Sequence, residues 1–240
     1  MPVPQSSFHR WLVLANVTLL ATVVVLLMSG FTRQQPTVLT VERINIVDAN
    51  GRLALVLSNG QRLPGARFSD REYPQSFVGR GRSAGLLFYN EGGDEVGGLI
   101  YEGAATDSTY RAFGHLSFDQ WQQNQVVAVQ YQDNGRLRSA GVRVWDRPVG
   151  EPLEQQFALA AQVTNAPAGP VRDSLERQRL LARNRVQGTA RLFLGSEDRM
   201  AKLELRDTQG RVRVRLAVDS LGVARLAFLD ARGSVVAAYP

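Results

Sequence analysis

From Trp11 to Phe31 the chain reads WLVLANVTLLATVVVLLMSGF, twenty-one residues without a formal charge. Crossing the hydrocarbon of a bilayer takes roughly 20 apolar residues at about 1.5 Å each, so this run is long enough to span one. Val, Leu and Ala occupy every helical face of it, which disfavours the core helix of a soluble domain. Trp11 and Phe31 stand at its ends, where aromatic rings favour the membrane interface. A cleaved signal peptide is the rival reading. Its apolar stretch is usually about 7–15 residues and closes on a small-x-small site. Here the run is longer and closes on Leu27-Met-Ser-Gly-Phe-Thr-Arg33. The expectation is a tail over 1–10, an uncleaved single-pass anchor over 11–31 held by membrane lipid, and a linker over 32–37. Arg10 on one side and Arg33 and Arg43 on the other leave the positive-inside bias near a tie. The short tail ahead of a signal-like segment favours an extracytoplasmic C-terminal part.

Roughly 200 residues follow the anchor, enough for one large or two small domains with a core. Apolar content of 44% and charged content of 21% belong to a folded chain rather than a disordered tail. Cysteine is absent, which excludes disulfides, thiolate zinc sites and cysteine nucleophiles together. Basic charge is concentrated. Residues 170–215 hold twelve Arg and Lys against six Asp and Glu, a surplus as large as the whole chain's +6. Beside an anchor, Arg172, Arg177, Arg179, Arg183 and Arg185 are candidates for binding anionic headgroups or a partner, at about 1 kcal/mol per residue near a membrane surface. A solvated face is the plain alternative.

Past the linker one unit recurs: an alternating strand, an Asp-x-x-Gly or Asp-Asn-Gly turn, and another alternating strand. Its clearest copies run over 203–218 and 44–57, with further turns at Asp219 to Gly222 and Asp230 to Gly233. Related hairpins surround Asn90-Glu-Gly-Gly and Asp133-Asn-Gly. Asp opening the turn hydrogen-bonds its own backbone two residues on, and Gly at the fourth position accepts φ > 0. In Arg211-Val-Arg-Val-Arg-Leu216 three arginines take one face and three aliphatics the other, the pattern of a half-buried strand with its aliphatic side inward. The fold expected is mainly β: an antiparallel hairpin or meander array closing as a barrel, sandwich or propeller-like ring.

Two segments break the period. Arg62 to Ser83 carries Pro64, Pro74 and three glycines, and reads as a long structureless loop of the kind that is often functional or mobile. Residues 148–188 read as a helical connector in two pieces parted by Pro167-Ala-Gly-Pro170, the second opening at Pro170 and stopping by Gly188. They separate a β domain over 38–147 from C-terminal hairpins over 189–240, as two lobes or one sheet system.

Few motifs carry chemistry. Gly81-Arg-Ser-Ala-Gly85 fits G-x-S-x-G, and Gly79-Arg-Gly-Arg-Ser-Ala84 fits G-x-G-x-x-[GA]. A strand-like stretch follows both where a helix is required, so neither a nucleophile elbow nor a dinucleotide fingerprint is expected. Arg80 and Arg82 could still meet an anion there. The Asp turns supply too few ligands for calcium, and no metal or cofactor is implied. In Gly114-His-Leu-Ser-Phe-Asp119, His115, Ser117 and Asp119 share one face of a strand, as a polar ligand-binding row or as a satisfied surface ladder.

Glu42-Arg-Ile-Asn-Ile-Val-Asp-Ala-Asn-Gly51, Gly85-Leu-Leu-Phe-Tyr-Asn-Glu-Gly92 and Gly114-His-Leu-Ser-Phe-Asp-Gln120 resemble blocks of a family of uncharacterised bacterial membrane-anchored proteins. The resemblance covers about residues 40–147 and implies an inherited fold, but no activity, cofactor or catalytic residue. Function is expected to be non-enzymatic: an envelope module that binds a protein partner or a glycan. The alternatives are an enzyme acting on an envelope polymer through the His115 and Asp119 face, and an anionic-lipid surface module. Nucleic acid ranks last among partners.

Overall fold

The computed structural model describes residues 5–30, 37–74 and 80–240. They divide into one unit up to Val41 and a second from Glu42 to Pro240. The first holds helix α1 (Gln5–Gly30), of which Ser7–Met28 is long and apolar enough to cross a membrane. This apolar helix thus starts before Trp11, while Phe31 and most of the 32–37 stretch lie outside the described residues. Its polar side chains bond back along the helix: Asn16 Nδ2 donates to the Leu12 carbonyl at 2.9 Å, and Thr22 Oγ1 to that of Thr18 at 2.8 Å. Back-bonding of this kind leaves little for lipid to satisfy.

In the second unit the turns form as their sequences dictate. Asp48 Oδ1 accepts the amides of Asn50 and Arg52 at 2.8 and 2.9 Å, and Gly51 sits at φ 81°. Asp207, Asp219 and Asp230 repeat that geometry. Backbone donors, with Arg52 beside them, hold the Asp48 carboxyl below its usual range; the turn itself accounts for these aspartates.

The turns join β1 (Arg43–Val47), β2 (Leu53–Ser58), β5 (Ala84–Tyr89), β6 (Glu95–Ala105), β7 (Tyr110–Asp119), β8 (Gln125–Asp133) and β9 (Arg138–Asp146). The array continues through β10 (Thr189–Glu197), β11 (Met200–Arg206), β12 (Val212–Val218), β13 (Ala224–Leu229) and β14 (Val235–Tyr239). All twelve lie in one antiparallel sheet in chain order, from β1 at one edge to β14 at the other. The expected closure as a barrel, sandwich or ring does not occur. Each turn returns the chain beside the strand it left, and among the described residues β1 pairs only with β2 and β14 only with β13. Nor are there two lobes. The connector holds α2 (Glu154–Asn165) and α3 (Pro170–Arg185), leaves β9 and returns as its neighbour β10.

Packing is one-sided. Val56 and Leu87 on the covered face are fully buried with Leu63 and Tyr89. Beyond them Ala66, Phe68 and Tyr73 pack on Leu153, Phe157 and Val186 at the base of the helical pair. Phe157 tilts against Phe68 at 5.4 Å and Tyr73 at 5.7 Å. Residues 62–74 are therefore no structureless loop, while 75–79 lie outside the described residues. They form a small hairpin over 67–72, β3 (Arg67–Phe68) with β4 (Arg71–Glu72), and lay Leu63 and Tyr73 into the core. Ala182 of α3 is 1% exposed, so Ala182→Leu should overpack that contact and cost about 1–3 kcal/mol, read by urea titration.

The opposite face is apolar and uncovered. Register carries one unbroken row across all twelve strands: Ile44, Leu57, Leu86, Leu99, Leu116, Val129, Val142, Leu194, Leu203, Leu216, Leu226 and Tyr239. A second row runs parallel from Ile46 to Ala237, where Phe88 and Phe118 stack across Gly97 with centroids 6.4 Å apart. The expected inward direction of the aliphatics is thus corrected. Leu216 is 48% exposed, while Glu204 on the arginine side is 2% exposed and paired with Arg206 and Arg215.

Candidate functional site

On the covered face, β5–β8 and the α2–α3 pair enclose a cavity of about 680 Å³. Strand geometry fills its floor. His115, Ser117 and Asp119 alternate along β7 toward the helices, and antiparallel register sets His115 opposite Gln130 and Ser117 opposite Ala128. His115 and Ser117 are buried, so this row is the floor of a cavity and not a surface ladder.

His115 stacks on Phe113 at 6.0 Å with the rings 10° apart, and its Nδ1 lies 2.9 Å from Gln130 Nε2. An amide nitrogen can only donate, so Nδ1 accepts and Nε2 carries the proton of a neutral ring. Burial and then the Arg80 charge lower the pKa of His115, which keeps it neutral.

Asp119 stands apart. Its Oδ1 is buried without a hydrogen-bond partner among the described residues, and its pKa is raised to about 7. Burial is the main cause and the charge of Glu95 adds to it; Arg80, Arg147 and the Ser117 hydroxyl pull the other way. Near neutral pH the group is divided between carboxylate and carboxylic acid.

Arg80 forms a two-pronged pair with Glu95, Nη1 to Oε2 at 2.8 Å and Nη2 to Oε1, with side chains 13% and 8% exposed. Arg147 donates through Nε to the Gln125 carbonyl at 2.7 Å and lies over the Trp145 ring at 5.7 Å. Burial lowers the pKa of Arg147 against the pull of Asp119, and it stays cationic. From α3, Arg179 and Arg183 reach the wall; Arg179 is tied to Glu176, while Arg183 has no ion pair or hydrogen bond among the described residues.

The sequence candidates thus divide. His115, Ser117, Asp119, Arg80, Arg179 and Arg183 meet at one cavity. Arg82 is exposed outside it, and so are Arg172, Arg177 and Arg185, the last 3.9 Å from Glu151. Of the five helical arginines, Arg179 and Arg183 line the cavity, Arg179 half-buried and Arg183 exposed. Ser83 of the G-x-S-x-G string is buried, donates to Glu102 at 3.2 Å and leads into β5, the strand that disqualifies an elbow.

Glu95, Gln130 and Arg147 were not singled out from the sequence. Counting outward from the turn at Gln120–Asn124 would have found Gln130 opposite His115. Glu95 and Arg147 carry no local signal, since each acquires its role across strands. No family model, no curated protein and no solved structure matches the chain.

Proposed function

We propose that this chain is a membrane-anchored binding module without catalysis of its own, and that its cavity takes an acidic, hydroxyl-rich ligand such as a segment of an anionic glycan. The observation carrying this reading is the buried Asp119 carboxyl with an unpartnered oxygen on the cavity wall. Around it the charges do not cancel. Arg80 is neutralised by Glu95 and Arg179 by Glu176, which leaves Arg147 and Arg183 for an incoming anion. Gln156, Gln187 and Asn124 supply amides for hydroxyl groups, and Phe68, Phe113 and Phe157 supply ring surface. Such a mix of apolar wall and a few convergent polar groups suits a small ligand, and about 680 Å³ falls within the usual range.

Calorimetry on the full chain in mild detergent tests it, comparing a glucuronate-containing oligosaccharide with its uncharged counterpart. The acidic sugar should bind preferentially. Arg147→Ala should weaken it at least about tenfold, and exposed Arg172→Ala should leave it unchanged. Equal binding of both sugars, or of neither, rejects the proposal.

One observation favours the enzymatic alternative: a carboxyl titrating near 7 beside a second carboxyl, Glu95, is an acid–base arrangement. Glu95, however, has both oxygens committed to Arg80, and His115 lies four residues along the strand from Asp119, about 13 Å away. Turnover of a polysaccharide that Asp119→Asn abolishes would establish this alternative.

A further inference from the structure

The uncovered sheet face is the largest feature that the cavity leaves unexplained. Its two rows run without a charged residue from the β1 edge to the β14 edge, with Phe118 54%, Leu194 53% and Leu216 48% exposed. Twelve strands spaced about 4.8 Å apart, most presenting three alternate positions about 6.6 Å apart on this face, as Val214, Leu216 and Val218 do in β12, make a patch of roughly 1,000 Å². The largest apolar patch of a typical monomer is about 300–600 Å². A stable protein interface takes about 800 Å² from each partner, so this face alone is enough for one.

We infer that a second copy of this chain covers it, the two apolar faces packing as a sheet-on-sheet sandwich. Three features favour that occupant. An uncharged aliphatic face is complementary to itself, as a two-fold interface requires, whereas a different partner would have to match it by accident. Two such sheets stack about 10 Å apart with interdigitating side chains, the normal way of burying a sheet face. Immersion in a bilayer is disfavoured because the β1 and β14 edges would carry unpaired backbone groups into hydrocarbon; in a sandwich both edges stay in water. The cavity lies on the opposite face, so dimerisation leaves it open.

The absence of cysteine makes the test direct. Val129 and Val142 pair at the middle of the sheet, so either meets its own copy near the centre of the interface whichever way the two-fold axis runs. Val129→Cys and Val142→Cys are introduced singly into the full chain in native membranes and treated with a short bis-maleimide. Arg225→Cys, exposed on the polar face, is the control. Covalent dimer is expected from both central variants and not from the control. A water-soluble maleimide should label Val142→Cys at least about tenfold more slowly than Arg225→Cys. Adding Leu194→Asp to Val142→Cys should abolish the dimer band; if that chain misfolds, the single cysteine variants still decide. Rapid labelling at Val142→Cys without cross-linking leaves the face in water and overturns the proposal. Protection without cross-linking, relieved by lipid extraction, assigns the face to acyl chains and overturns it equally.

Discussion

Replacing Glu95 by Ala is expected to destabilise the domain by about 3–5 kcal/mol, because it strands a buried guanidinium. Arg80 and Glu95 share two hydrogen bonds with side chains 13% and 8% exposed; burial pulls the pKa of Arg80 down most strongly, and the Glu95 charge together with its hydrogen bonds and smaller neighbouring charges raises it overall. A buried ion pair is costly to form but costlier to halve. The double change Arg80→Met with Glu95→Leu removes both charges and should recover most of the loss. Urea denaturation of the three chains in mild detergent measures this. A loss below about 1 kcal/mol for Glu95→Ala would show that water reaches Arg80. The same substitution should move Asp119, which loses a repelling charge and gains a freed cation, so its titration falls below about 7.

The second large effect is a pH dependence centred on Asp119. Its carboxyl titrates at about 7 when folded against 3.8 as an ordinary aspartate. The folded chain therefore holds a proton that the unfolded chain releases between those values. Stability from this group is complete below about pH 4 and is lost as pH rises through 7. Asp119→Asn cannot acquire the charge. The variant should match the natural chain near pH 3, gain on it as pH rises from about 4 to 7, and exceed it at pH 8 by an amount whose upper limit is about 4 kcal/mol. His115 acts in the opposite sense: with a lowered pKa, its contribution is lost as pH falls below 6.5. Both chains keep His115, so it cancels in the difference. A difference independent of pH would mean that Asp119 is not buried as a free acid.

How much of this was legible beforehand depends on the range of the interactions. Asp48, Asp207, Asp219 and Asp230 make turns with amides two and four residues away, so sequence alone located them. Pro170 opening α3 and the shared face of His115, Ser117 and Asp119 are local in the same way. Leu63 and Tyr73 were misread because burial of a proline- and glycine-containing segment depends on partners such as Phe157, far along the chain. Glu95 reaches Arg80 across fifteen residues with β5 between them, a pairing that no local pattern announces.

Alternation within a strand separates its residues into two sets; it is a property of backbone geometry and needs nothing else. Val212, Val214 and Leu216 were assigned to one set and Arg211, Arg213 and Arg215 to the other on that ground alone. Which set is covered is a different question, answered by what lies above the sheet. In this chain the hairpin segment and the helical pair settle over the polar face of β5 to β8 and line a cavity there, while Arg206 and Arg215 pair with Glu204 and Arg211 with Asp207 within the sheet and its turns. The aliphatic set stays in the open, because β1 and β14 remain separate edges and no second layer lies on that face among the described residues.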